Sequence, residues 1–149
     1  MTRKHFCLAA GALMLASALP SVAQEKAPAT GTLKVKLHYT GSGTVDEKHK
    51  ILVFLFDSPE FTQGSVMPFA MKAGQSKDDT VTFTDVEKSP VYVATVYDPS
   101  GQYEGMSPPP SGSSVGMYGT PPDKPDPVKV EPGKTTEIDL RFDDTGKMP

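Results

Sequence analysis

Leu33-Lys34-Val35-Lys36-Leu37-His38-Tyr39 decides the fold. Apolar residues occupy every second position, with Lys34, Lys36 and His38 between them. Side chains of an extended chain point alternately to opposite faces, so this stretch buries one face and wets the other. Gly41-Ser42-Gly43 ends it. Further along, Ile51 to Phe56 is a continuous apolar run, short enough for a strand buried on both faces and broken at Asp57-Ser58-Pro59. Residues 80–84 set Val81 and Phe83 against three threonines, and residues 91–97 are β-branched and aromatic. Near the end, Ile138, Leu140 and Phe142 alternate with Glu137, Asp139 and Arg141.

Two shorter runs complete the set. Residues 66–72 read as an edge strand, because Pro68 has no N–H to give to a ladder. Val128-Lys129-Val130 precedes the turn Glu131-Pro132-Gly133-Lys134. Seven strands, with a helical turn only at residues 58–62, predict an all-β fold: a seven-stranded antiparallel β-sandwich over residues 32–142. One segment departs from this pattern, a long Pro/Gly/Ser-rich loop over residues 98–127. A connection of that length is either functional or loosely ordered. Its last part, Pro121-Pro122-Asp123-Lys124-Pro125-Asp126-Pro127, reads as an extended spacer. Residues 143–149 form a C-terminal tail.

The N-terminus reads as an address. Arg3, Lys4 and His5 precede an apolar run over residues 6–19, then Pro20 and the small-residue box Ser21-Val22-Ala23. Residues 1–23 are therefore expected to be a signal peptide cut near Ala23, with a flexible leader over residues 24–31. The run is too short for a membrane-spanning helix, so no transmembrane segment is expected. The predicted location is periplasmic or secreted.

Composition narrows the chemistry. The chain has 149 residues with 15 Lys and Arg against 18 Asp and Glu, and losing Arg3 and Lys4 takes the formal charge from −3 to −5. That balance argues against nucleic acid as a partner. The one cysteine, Cys7, lies in the expected signal, so a cleaved chain would carry no thiol for a disulfide, a zinc site or a nucleophile.

Gly31-Thr32-Leu33-Lys34-Val35, Phe83-x-Asp85-Val86, Val91-Tyr92-Val93-Ala94 and Val128-x-Val130-x-Pro132-Gly133 carry a resemblance. With them the strand pattern resembles the prealbumin-like sandwiches, the transthyretin-like and carboxypeptidase regulatory-like domains, and within them a group of uncharacterised bacterial secreted proteins. In that group the fifth strand runs into an Asp-x-Asn-Gly-Asn-Gly loop. Here the stretch is Asp98-Pro-Ser-Gly-Gln-Tyr-Glu-Gly105, and both asparagines are absent. The resemblance implies a fold rather than an activity, since one fold hosts many functions.

Four groups of residues invite chemistry. Gly112-Ser113-Ser114-Val115-Gly116 matches the Gly-x-Ser-x-Gly nucleophile elbow, but prolines precede it, no helical pattern follows, and the last histidine is His49. His38 and His49 are the bases a prealbumin-like hydrolase would need, yet the chain ends Leu140-Arg141-Phe142-Asp143-Asp144 without the Tyr-Arg-Gly-Ser ending such a hydrolase carries. Asp98, Ser100, Gln102 and Glu104 place oxygens at alternating positions, as the first half of a calcium loop does. Tyr103 and Pro109 stand where an EF-hand needs Gly and Glu, so an Asx-type turn competes with a metal role for Asp98 and Glu104. Scattered methionines offer thioethers to copper(I), but also simple gap-filling.

Within the long loop, Tyr103, Met106, Met117 and Tyr118 stand among Pro, Ser and Gly. They would either anchor a partner or fold back over a sheet edge. The expected function is a non-catalytic, exported binding or accessory module of the bacterial envelope. It would engage a protein or carbohydrate through residues 98–119 by means of these four side chains, without a cofactor. The alternatives are a calcium- or other metal-binding module and a small transthyretin-like hydrolase.

Overall fold

The computed structural model describes residues 29–120 and 124–149. The expected signal peptide and most of the leader lie outside the described residues. Strand β1 (Gly31–Tyr39) begins one residue earlier than expected and alternates strictly between buried and half-buried positions. It is followed by β2 (Ile51–Phe56), β3 (Ala70–Gly74), β4 (Thr80–Val86), β5 (Tyr92–Tyr97), β6 (Ser114–Met117), β7 (Gly119–Thr120), β8 (Lys124–Pro125) and β9 (Thr135–Phe142). Among the described residues the fold is all-β, with nine strands in three sheets rather than seven.

A three-stranded sheet has the order β4-β1-β9, a four-stranded sheet the order β3-β2-β5-β6, and β7 pairs with β8 in a small ribbon. The pairing is antiparallel throughout except at one place. β1 and β9 run parallel, from Thr32 beside Thr135 to Tyr39 beside Phe142. That parallel pair corrects the purely antiparallel expectation. The first and last strands are neighbours, and their shared direction requires the rest of the chain to cross over between them.

Alternation explains how the core is assembled. Leu33, Val35, Leu37 and Tyr39 of β1 join Val81 and Phe83 of β4 and Ile138, Leu140 and Phe142 of β9 in one buried cluster. Ile51, Val53 and Leu55 of β2 and Val93 and Tyr97 of β5 belong to the same cluster, so both large sheets share a core. β2 is buried at all six positions. Its other face, Leu52, Phe54 and Phe56, forms a second cluster with Ala94 and Val96, covered by Phe61, Val66 and Tyr103. Phe61 reaches Phe56 from a short 3-10 turn, Pro59–Gln63, and stacks on it at 4.3 Å. Ser58 starts the turn by accepting the Glu60 N–H, and Gly64 closes it in the left-handed region.

Four sequence readings shift. The strand expected at residues 66–72 begins only at Ala70, after Pro68. Val128 and Val130 are buried, but Val128 forms only an isolated bridge with Val91. The long loop at residues 98–127 contains β6, β7 and β8. The tail is also structured: Gly146 and Met148 exchange backbone hydrogen bonds with Gly112, Ser113 and Val115, which extends the edge of β6. No helix among the described residues is long and apolar enough to cross a membrane.

Candidate functional site

Residues 98–110 leave the end of β5 and cover part of the outer face of the four-stranded sheet. Asp98 organises the departure. Its Oδ1 accepts the Ser100 N–H at 2.9 Å, and its Oδ2 accepts the Ser100 hydroxyl at 2.5 Å and the N–H groups of Gln102 and Tyr103 at 3.1 and 3.0 Å. Burial pushes the Asp98 carboxyl up, and the donors from Ser100, Tyr103 and Gln102 outweigh it, so it stays below the usual aspartate range. The side chain is 6% exposed, with both oxygens committed to its own turn.

Tyr103 follows from that turn. Its ring lies 6.4 Å from Phe54 and forms part of the second cluster's cover, and its hydroxyl donates to the Ser107 carbonyl at 2.8 Å. Burial raises its phenol pKa. Gly105 comes next with φ +82°, and a Cβ there would collide with the Met71 Sδ and press on Phe54. Glycine is required on both counts, and its absent side chain lets β3 and the loop touch. Met106 is 79% exposed. Asp98, Gln102, Tyr103, Glu104, Met106 and Pro108 are among the residues lining an open cleft of about 360 Å³.

The structure therefore divides the four expected contact residues. Tyr103 and Met106 border the cleft. Met117 lies on β6 opposite Ala94, a residue of the second cluster, and is half-buried. Tyr118 packs against the main core, with its N–H on the Val93 carbonyl. Asp98 and Glu104 both line the cleft, but among the described residues no group of three or more His, Cys, Asp or Glu side chains is placed to hold a metal ion.

The other candidates are equally well located. Ser114, centre of the Gly-x-Ser-x-Gly match, opens a strand, is buried, and donates its hydroxyl to Asp144 at 2.7 Å. His38 holds Asp78 at 3.0 Å through Nδ1 and Asp139 at 3.2 Å through Nε2. His49 sits on Asp46 at 2.9 Å.

The hydrogen-bond hub at Asp144 is what sequence reasoning missed. Its Oδ1 accepts the Tyr39 hydroxyl at 2.5 Å and the Ser114 hydroxyl, and its Oδ2 accepts the Ser42 N–H and hydroxyl at 2.8 and 2.9 Å. The Tyr39 bond first, then those from Ser42 and Ser114, hold the carboxyl far below the usual range. Burial, reinforced by Asp144, pushes the Tyr39 phenol up to about 12. Gly41 is the available signal, since a Cβ there would strike both Tyr39 and Asp144. The hub fastens the tail to β1 and β6, with two donors on each carboxylate oxygen.

Comparison with known proteins adds no family: no protein-family model matches the chain, and no curated protein or solved structure matches it.

Proposed function

We propose that this chain is an exported, non-catalytic binding or accessory module of the bacterial envelope, built as a prealbumin-like two-layer β-sandwich. Its contact surface is the part of the expected loop that stays outside the sheets, residues 98–110. The carrying observation is the open cleft there, a preformed turn locked by Asp98 with Met106 projecting into solvent. A loop whose backbone is already fixed loses little entropy on binding. The shared core of the two large sheets supports the sandwich reading, and the basic, apolar and small-residue order of residues 1–23 supports export.

The alternatives ask more of the same residues. A metal reading requires Asp98 to release the donors of its own turn. A hydrolase reading requires a free base, whereas the ring nitrogens of His38 face Asp78 and Asp139.

The test places a photo-crosslinking amino acid at Met106 or at the exposed Thr84 in the full-length chain expressed in its bacterial host. A discrete crosslinked species at 106 that is absent at 84, from protein beginning at Gln24, is the expected result. Equal patterns at the two positions, or none at 106, would refute the contact surface. An uncleaved N-terminus would refute export.

A further inference from the structure

The cleft over residues 98–110 has a lining that specifies a chemistry. The charged side chains in it, Asp98 and Glu104, are both carboxylates, and Asp98 is consumed by its turn. Glu104 is exposed and belongs to none of the ion pairs formed among the described residues. The Tyr103 ring lines the same cleft, held in place by Phe54 and by the Ser107 carbonyl. An aromatic face next to an unpaired carboxylate favours a cation that is planar and weakly hydrated, which describes guanidinium better than ammonium.

The surroundings indicate what carries that cation. Met106 is 79% exposed and lines the cleft, and Met71 is 41% exposed with its Sδ against Gly105, so two flexible thioethers belong to this loop region. Met67 and Phe69, on the segment that enters β3, are 71% and 36% exposed. Thioethers adapt to partners of varied shape, and exposed apolar side chains gain by covering apolar neighbours of the ligand. The cleft, at about 360 Å³, has room for one long side chain.

We propose that this cleft captures an arginine side chain of a partner protein, flanked in the partner's sequence by apolar residues. Glu104 pairs with the guanidinium, the Tyr103 ring stacks on it, and Met106 and Met71 close over the aliphatic stem and its neighbours. The inference rests on the contact surface proposed above and gives its partner a chemistry.

The experiment uses the full-length protein with 15N-labelled backbone and 13C-labelled methionine methyls. It is titrated with the peptides Ac-Gly-Leu-Arg-Leu-Gly-NH2 and Ac-Gly-Leu-Glu-Leu-Gly-NH2, and with N-acetylargininamide. The arginine peptide is expected to shift the Tyr103 and Glu104 amides and the Met106 and Met71 methyls while leaving Met148 unmoved. Glu104→Gln should weaken it by about three- to five-fold, the scale of one exposed ion pair. Equal binding of the glutamate peptide, no shift at millimolar arginine peptide, or unchanged affinity in Glu104→Gln would overturn the proposal. So would N-acetylargininamide binding as tightly as the peptide, since the site would then be one for free cations. A position-106 crosslink that persists undiminished in Glu104→Gln would overturn arginine capture while leaving the contact surface standing. Loss of that crosslink in the wild type would sink the surface itself.

Discussion

Replacing Asp144 with alanine removes four hydrogen bonds at once, two at each carboxylate oxygen. A hydrogen bond to a charged acceptor contributes roughly 1.5–3 kcal/mol when buried. Asp144 is half-buried, so water takes over part of each bond and about 0.7–1 kcal/mol remains per contact. The expected loss is then about 3 kcal/mol, or about 12 °C in Tm at about 4 °C per kcal/mol for a domain of this size. Asp144→Asn should lose about half as much: its oxygen still serves Tyr39 and Ser114, while its NH2 confronts the Ser42 N–H, donor against donor. Thermal and urea unfolding at neutral pH measure both variants. The pH dependence has a definite sign. The folded pKa is depressed, so the carboxylate's contribution is complete above the ordinary value of 3.8 and disappears as pH falls through the lower folded value. The gap between wild type and Asp144→Ala should hold at neutral pH and shrink only below pH 3.8. An alanine variant melting within about 3 °C of wild type would refute the hub as the fastening of the tail.

Three further outcomes follow from the same geometry. Thr95 is fully buried and its hydroxyl finds no partner among the described residues, so Thr95→Val should stabilise the protein by about 1 kcal/mol in urea unfolding; a destabilised variant would show that the hydroxyl is satisfied. Of the five tyrosines, Tyr39, Tyr97 and Tyr103 have raised pKa values, so ultraviolet titration should show delayed ionisation, with Tyr39 last at about 12. Their preference for the neutral form is complete below the ordinary value of 10.0 and is lost as pH rises through the folded values, so all five ionising together near 10.0 in the folded protein would refute the burial assignment. Gly105→Ala places a Cβ at positive φ and against Met71, and should cost about 1–2 kcal/mol and speed amide exchange at Tyr103; unchanged exchange would mean that the loop is not held by that contact.

What was legible in the sequence was whatever depends on a period of two. β1, β4 and β9 each bury alternate apolar residues, and the unbroken run of β2 is buried on both faces because a second cluster covers its outer side. β6 was hidden because its inward positions are filled by small residues. Ser114 is engaged with Asp144, and Gly116 lies against Phe142 and Thr95, where no side chain fits, so no hydrophobic alternation survives to be read. The candidate site was legible in part. Tyr103 and Met106 belong to its cleft, whereas Met71 depends on the approach of β3 to Gly105, which no local pattern encodes. Tyr118 has the same composition cue as Tyr103, an aromatic residue among Gly and Ser, but its N–H docks on Val93 and its side chain joins the core. Asp144 could not be recognised, because its partners are drawn from residues 39, 42 and 114.

The parallel union of the opening and closing strands has a consequence for synthesis. β1 needs β9 on one flank, and His38 meets Arg141 only after the long stretch of chain between them exists. A ribosome making this chain from its N-terminus delivers β9 after every other strand among the described residues, so until then the three-stranded sheet is incomplete and the core unclosed. Pairings that span so much sequence form slowly. Until β9 has emerged, β1 keeps one open edge, and the nascent chain stays loose where its first strand was made.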